Sequence, residues 1–230
     1  TASVDMTARY WSLKTGRQLE SFRAHNRRLT SMVVFPDEKT FVTWAFDRTI
    51  KHWDLATGKL LYTFEGHTKP ISQLLVIPNH PWVLSRAFGS DHEVRLWDVK
   101  QKKLLKTFVG HQTSLTKIYL LPNKLHFLTT GSDGTIKYWN LNDANALHTF
   151  SKHKGAIRKL IFLKNQNQFL SFGNDQQVNH WDLGRKKLIG SLHSRFGAIR
   201  TLQILANQQQ AVTVNRQNSI TLWDLKKHQE

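Results

Sequence analysis

A chain of 230 residues with 40% hydrophobic and 11% aromatic residues can bury a sizeable core, which excludes an intrinsically disordered polymer. Thirty-three Lys and Arg against sixteen Asp and Glu give a formal charge of +17, which points to acidic partners: RNA, anionic lipid or an acidic protein surface. There is no cysteine, so a disulfide framework and thiolate chemistry are excluded, and no run of about eighteen apolar residues offers a membrane span.

The opening residues Thr1-Ala2-Ser3 lead straight into a turn at Asp5 and a strand closing on Trp11, so residue 1 is expected to lie where the second strand of a repeating unit is ending. Strand-forming runs then follow at Gln18 to Phe22, Leu29 to Phe35, Thr40 to Trp44, Thr49 to Trp53 and Leu60 to Phe64. Later first strands read Ile71 to Ile77, Leu115 to Leu121, Ile157 to Leu163 and Ile199 to Leu205. Short polar turns such as Pro36-Asp37-Glu38-Lys39 and Pro122-Asn123-Lys124 separate the runs. Outer strands read Leu104 to Phe108, Ala146 to Phe150 and Leu188 to Leu192, and no helical 3.6-residue period is present.

The unit Thr129 to Asn140 shows what recurs: a strand end, a turn on Asp133-Gly134 and a strand closing on Trp139. Its Trp returns at Trp11, Trp53, Trp97, Trp139, Trp181 and Trp223, at spacings of 42, 44, 42, 42 and 42 residues. Six residues before each stands Asp5, Asp47, Asp91, Asp133 or Asp175, with Gln217 in the last copy. A histidine recurs at His25, His67, His111 and His153, and Arg195 replaces it last. A period in the low forties, with openings at Gly66-His67 and Gly110-His111 and closings at Trp53-Asp54, Trp97-Asp98, Trp181-Asp182 and Trp223-Asp224, belongs to a four-stranded propeller blade. The chain resembles a WD-repeat β-propeller over its full length.

That resemblance implies an all-β fold of four-stranded antiparallel blades, about five and a half in residues 1–230. The units are expected near 1–22, 23–64, 65–108, 109–150, 151–192 and 193–230, as one array incomplete at both ends. Seven blades of about 42 residues need roughly 290, so residues elsewhere in the protein, or a partner, are expected to complete a seven-bladed ring. The resemblance also implies a hydrogen-bonded tetrad in each complete unit: His25, Thr43, Asp47 and Trp53; His67, Ser85, Asp91 and Trp97; His111, Thr129, Asp133 and Trp139; His153, Ser171, Asp175 and Trp181. The second needs a two-residue insertion around Arg86 to Ser90, which accounts for the 44-residue spacing. The last unit has Arg195, Thr213, Gln217 and Trp223, lacks both His and Asp, and is expected to be the softest blade.

An Asp, a His and a Ser together raise the possibility of nucleophilic hydrolysis, but recurrence in every unit argues for an internal staple rather than one exposed nucleophile. Twelve histidines come without an H-E-x-x-H motif, and no P-loop or dinucleotide fingerprint is found, so neither a metal nor a cofactor is expected. The family places recognition on the face bearing the Asp turns and the Gly-His loops. By register this nominates Phe46, Ser90, Ser132, Asn174 and Arg216, each before an Asp or its replacement, and Arg28, Pro70 and Ser114, each three after a His. Trp44, Phe88 and Phe172 lie three before their Asp, and either line the same mouth or pack between blades. A basic face, Lys100, Lys102, Lys103, Arg185, Lys186, Lys187, Lys226 and Lys227, is expected on the third-to-fourth-strand side, and reads either as a docking surface or as a solvated rim. Arg23, Arg27, Arg28, Lys69, Lys152, Lys154 and Arg195 form a second basic group toward the recognition side. The expected function is a non-catalytic, intracellular protein-interaction scaffold with an acidic protein or peptide partner, in the cytoplasm or alternatively the nucleus or nucleolus. Direct RNA binding in ribonucleoprotein or ribosome assembly is the alternative.

Overall fold

The computed structural model describes residues 1–195 and 197–229 and contains only strands among them. It divides into two compact units, Thr1–Gly110 and His111–Glu230.

In the first unit, β1 (Thr7–Trp11) and β2 (Gln18–Arg23) form a two-stranded sheet. Two four-stranded antiparallel blades follow: β3 (Leu29–Val34), β4 (Thr40–Ala45), β5 (Ile50–Asp54) and β6 (Leu60–Phe64), then β7 (Ile71–Ile77), β8 (Trp82–Ala87), β9 (Val94–Asp98) and β10 (Lys103–Phe108). In the second unit the blades are β11 (Leu115–Leu120), β12 (His126–Gly131), β13 (Thr135–Asn140) and β14 (Asp143–Ser151), then β15 (Ile157–Phe162), β16 (Gln168–Gly173), β17 (Gln177–Asp182) and β18 (Lys187–His193). A three-stranded sheet of β19 (Ile199–Ile204), β20 (Gln210–Asn215) and β21 (Ile220–Asp224) completes the description. Within each sheet every strand pairs with its sequence neighbour, so every connection inside a sheet is a hairpin.

The second strands carry the core, because sheets on either side bury both of their faces. Thus β12 and β16 are buried from their second residue to their last. Between the blades of the first unit lie Trp44, Ile50, Phe64, Ile71, Leu74 and Trp97. The second unit repeats the arrangement with Leu128, Ile136, Phe150, Ile157, Phe169 and Trp181. Cross-strand neighbours Phe41 and Trp53, Phe127 and Trp139, and Phe169 and Trp181 stack with centroids 6.1, 6.0 and 6.3 Å apart. Such a pair adds about 0.5–1.5 kcal/mol beyond its area burial. Ala211 occupies that place opposite Trp223 and forgoes the stack.

Turn chemistry fixes where each blade exposes its loops. Where an Asp follows the repeating Trp it caps the hairpin into the outer strand: Asp54 Oδ1 accepts the Thr57 N–H at 2.7 Å, Asp98 that of Gln101 at 2.7 Å, and Asp182 that of Arg185 at 2.8 Å. The outer strand expected at residues 146–150 runs Asp143–Ser151 instead, since residues 141 and 142 alone connect it to β13 and pairing resumes at once.

Candidate functional site

Four His–Asp–hydroxyl–Trp networks sit at the turn end of the blades. In the first, His25 Nδ1 lies 2.8 Å from Asp47 Oδ2, His25 Nε2 lies 2.7 Å from Thr43 Oγ1, and Trp53 Nε1–H donates to the same oxygen at 2.9 Å. His67, Asp91, Ser85 and Trp97 repeat this at 3.0, 2.7 and 2.8 Å. His111, Asp133, Thr129 and Trp139 give 2.9, 2.8 and 2.8 Å, and His153, Asp175, Ser171 and Trp181 give 2.8, 2.6 and 2.8 Å. A carboxylate at Nδ1 selects the tautomer protonated there, so Nε2 accepts the hydroxyl proton while the hydroxyl oxygen accepts the indole N–H. Each hydroxyl is thereby used twice and is fully buried.

The electrostatics follow from these contacts. Burial pushes the Asp47 carboxyl up, but the His25 hydrogen bond and charge, with the Thr49 hydroxyl and N–H, outweigh it and hold it well below the ordinary carboxylate value. The same opposition, with His67, Thr68 and Arg95 against burial, holds Asp91 at about 2. Thr49 and Thr135 extend two networks: their hydroxyls donate to Asp47 and Asp133 at 2.8 and 2.7 Å. Sequence reading passed over them, although the spacings Asp5-Met6-Thr7, Asp47-Arg48-Thr49 and Asp133-Gly134-Thr135 carried the signal. Glu93 stands at that place after Asp91, and Asp91 Oδ1 is buried without a partner. In the last sheet Trp223 Nε1–H donates to Thr213 Oγ1 at 2.7 Å, and Arg195 and Gln217 are exposed.

Above the networks, backbone hydrogen bonds tie the candidate positions in pairs. The Phe46 N–H donates to the Arg28 carbonyl at 2.9 Å, Ser132 to Ser114 at 2.8 Å, Asn174 to Ala156 at 3.0 Å and Arg216 to Ala198 at 3.0 Å. In the second complete blade it is Phe88, not Ser90, whose N–H reaches Pro70, at 2.8 Å. This corrects the sequence register. The two extra residues, Gly89 and Ser90, follow Phe88 instead of preceding it, so Phe88 is the counterpart of Phe46 and Ser90 lies in the insertion.

Trp44 and Phe172 are also corrected as mouth residues. They are 6% and 2% exposed, Trp44 packed among Ile50, Phe64 and Ile71 and Phe172 among Val178, Ile199 and Leu202, because strands buried on both faces turn even this position inward. Phe88, 44% exposed, remains at the surface with its centroid 5.7 Å from that of the half-buried Phe46. The Arg28 guanidinium lies 5.3 Å from the Phe46 ring centroid, a cation–π contact. Arg27, Arg48 and Pro70 complete a recess of about 470 Å³ around Phe46 and Asp47. Ser132, Asn174 and Arg216 are exposed in the second unit, where Asn174 accepts the Arg158 Nε–H at 2.6 Å.

The basic hairpin residues are all exposed: Lys100, Lys102 and Lys103 in the first unit, and Arg185, Lys186, Lys187, Lys226 and Lys227 in the second. Among the described residues no group of three or more His, Asp or Glu side chains is gathered to hold a metal, and no helix is long and apolar enough to cross a membrane. The family model of the WD domain, G-beta repeat, matches the chain four times, at residues 16–54, 58–98, 102–140 and 144–182, which together make up more than half of it. The repeated Trp-Asp closings and the four-stranded antiparallel sheets agree with that match, and the chain belongs to the WD-repeat family, its sheets being WD-type β-propeller blades.

Proposed function

We propose that this chain is a non-catalytic platform that docks an acidic protein or peptide on the turn face of its first unit, around Arg28, Phe46 and Phe88. WD repeats generally mediate protein–protein interaction and are generally non-catalytic. The observation that carries the reading is the contiguous cluster of Arg28 over Phe46 and Phe46 against the exposed Phe88, which none of the hydrogen-bonded networks needs. Aromatic rings and Arg are the residue types that dominate binding energy at interfaces. The excess positive charge favours acidic partners and speeds their encounter. Serial repetition of the His–Asp pair, with each hydroxyl engaged by both His and Trp, supports a scaffolding rather than a nucleophilic role.

The test uses an acidic peptide selected on the wild-type chain from a display library. Arg28→Ala and Phe46→Ala should each weaken its binding at least about tenfold, as hot-spot truncations do, while leaving the melting temperature within a few degrees. Unchanged affinity in both variants removes the assignment. Arg27 and Arg48 in the recess around Phe46, with Arg28 over its ring, also favour a second reading, single-stranded RNA on the same face. RNA affinity would fall steeply with salt as counterions are released. Negligible affinity at low salt eliminates it.

A further inference from the structure

Strands β3, β7, β11, β15 and β19, the first of their sheets, each take one extra residue at their second position, a β-bulge. Ile157 pairs with Gly173 and Lys159 with the adjacent Phe172, so Arg158 lies between two pairs with no opposite residue of its own. Arg200 lies in the same way between Ile199 and Thr201. A bulge re-aims the side chain it carries. In the three earlier sheets that residue is Thr30, Ser72 or Thr116, and its hydroxyl is used internally. Thr30 donates to the Ile71 carbonyl at 3.0 Å, Ser72 to the Arg86 carbonyl at 3.2 Å, and Thr116 shares a hydrogen bond with the Thr130 hydroxyl at 2.6 Å. Two consecutive sheets of the second unit thus place an exposed guanidinium where the other blades place a short, satisfied hydroxyl.

Arg158 and Arg200 line one recess of about 520 Å³, together with Lys159, Thr116, Thr201 and Asn174, and no residue of its lining is acidic. Arg158 is oriented through its Nε–H, which donates to Asn174 Oδ1 at 2.6 Å, and both of its Nη groups are without a partner among the described residues. Neither arginine nor Lys159 is in an ion pair among the described residues. The carboxylate next along the chain, Asp175, is committed to His153 Nδ1 at 2.8 Å. Three cations around one recess repel one another, and a bound anion removes that cost.

We propose that this recess binds the phosphoryl group of a phosphorylated serine or threonine on a partner protein, with Arg158 and Arg200 each donating to its oxygens through a guanidinium fork and Lys159 adding a third positive charge. The count of charges and acceptors decides between anions. A phosphate monoester brings about −1.5 to −2 charges at pH 7 and three acceptor oxygens, which two forks and an ammonium match. A carboxylate brings one charge and is saturated by a single fork. The presentation on a protein follows from exposure: Arg158, Lys159, Asn174, Arg200 and Thr201 all stand open to solvent. Pockets for free small molecules instead bury about 70–90% of the ligand surface. The site lies in the second unit and uses none of Arg28, Phe46 and Phe88, so it stands independently of what those residues dock.

Fluorescein-labelled Gly-Ala-pSer-Ala-Gly and its counterpart with Glu in place of the phosphoserine, titrated by anisotropy at low salt, provide the test. The wild-type chain should bind the phosphopeptide at least about tenfold more tightly than the Glu peptide, the size of one further charge-assisted hydrogen bond. Arg158→Thr with Arg200→Thr, which restores the residue type of the other blades, should abolish that preference while the melting temperature stays within a few degrees. Arg158→Lys with Arg200→Lys keeps the charge, removes the planar forks and should reduce the preference severalfold, a second reading that does not depend on the Thr pair folding. Lys124→Gln with Lys164→Gln, which removes the same charge from exposed turns of the same unit, should leave the preference intact. The proposal is overturned by equal affinity for the two peptides, by absent binding, or by equal loss in the arginine-to-threonine and lysine-to-glutamine pairs, which would reduce the effect to net charge. It is also overturned by loss in Arg28→Ala with none in the arginine pairs, or by tighter binding of oligouridylate that the arginine pairs remove, which would assign the recess to a nucleic-acid backbone.

Discussion

At the scale of single residues, His180 and Thr129 make opposite uses of burial. Burial first, then the charge of His228, lowers His180 to about 4 despite Asp182. The unfolded chain therefore takes up a proton that the folded one refuses, and this stabilisation is complete above pH 6.5 and lost as pH falls toward about 4. A shift of this size corresponds to on the order of 3 kcal/mol. Melting followed from pH 7 to pH 4 should show a decline that His180→Phe flattens. Asp91 supplies a separate, more acidic leg: lowered from 3.8 to about 2, it stabilises above the former value and ceases to do so as pH falls through the latter. Thr129 is instead buried at the centre of a satisfied network. Thr129→Val strands His111 Nε2 and the Trp139 N–H together and should cost about 2–4 kcal/mol in chemical denaturation. Thr213→Val removes only the Trp223 bond and should cost about 1–2 kcal/mol.

At the scale of the element, the turn between the second and third strands is set by backbone conformation as much as by its Asp. The residue after that Asp or its replacement has positive φ in Met6, Arg48, Gly134, Gln176 and Asn218, at 72°, 71°, 76°, 64° and 60°. Only glycine adopts this region without steric cost. Gln176→Gly should therefore stabilise the second unit by about 0.5–1 kcal/mol in urea unfolding, net of the extra freedom of the unfolded chain. Gly134→Ala should destabilise it, since a Cβ there would collide with the His153 carbonyl. The Gly-His and Asp positions of these turns were legible because the period repeats them. The side of Phe88 on which two extra residues fall was not, since spacing counts residues and only strand pairing assigns them.

At the scale of the whole molecule, repetition makes departures readable. The last sheet lacks the His–Asp pair and has Ala211 where Phe41, Phe127 and Phe169 stack on their tryptophans. Amides of β20 should therefore exchange with solvent faster than those of β12 and β16; equal protection would show that neither loss matters locally. The net charge of +17 predicts that affinity for an acidic partner falls as salt rises, with Lys186→Glu and Lys187→Glu reducing the salt slope if their hairpin takes part.

The sequence by itself determined the blades and the recurring His, Asp and Trp of each network, because a period of about 42 residues marks those places, and the family resemblance supplied the hydroxyl that joins them; Thr49 and Thr135 emerged only from the folded turns. Tertiary structure alone decided which aromatics are surface and which are core. Trp44 and Phe172 are buried by the neighbouring sheet, while strand pairing sets Phe88 at the turn position that Ser132, Asn174 and Arg216 occupy at the surface of their blades. It also decided that buried His52 lacks the partner that His180 finds in Gln168, since the shorter Thr40 holds that place in the first unit, a reach no linear spacing encodes.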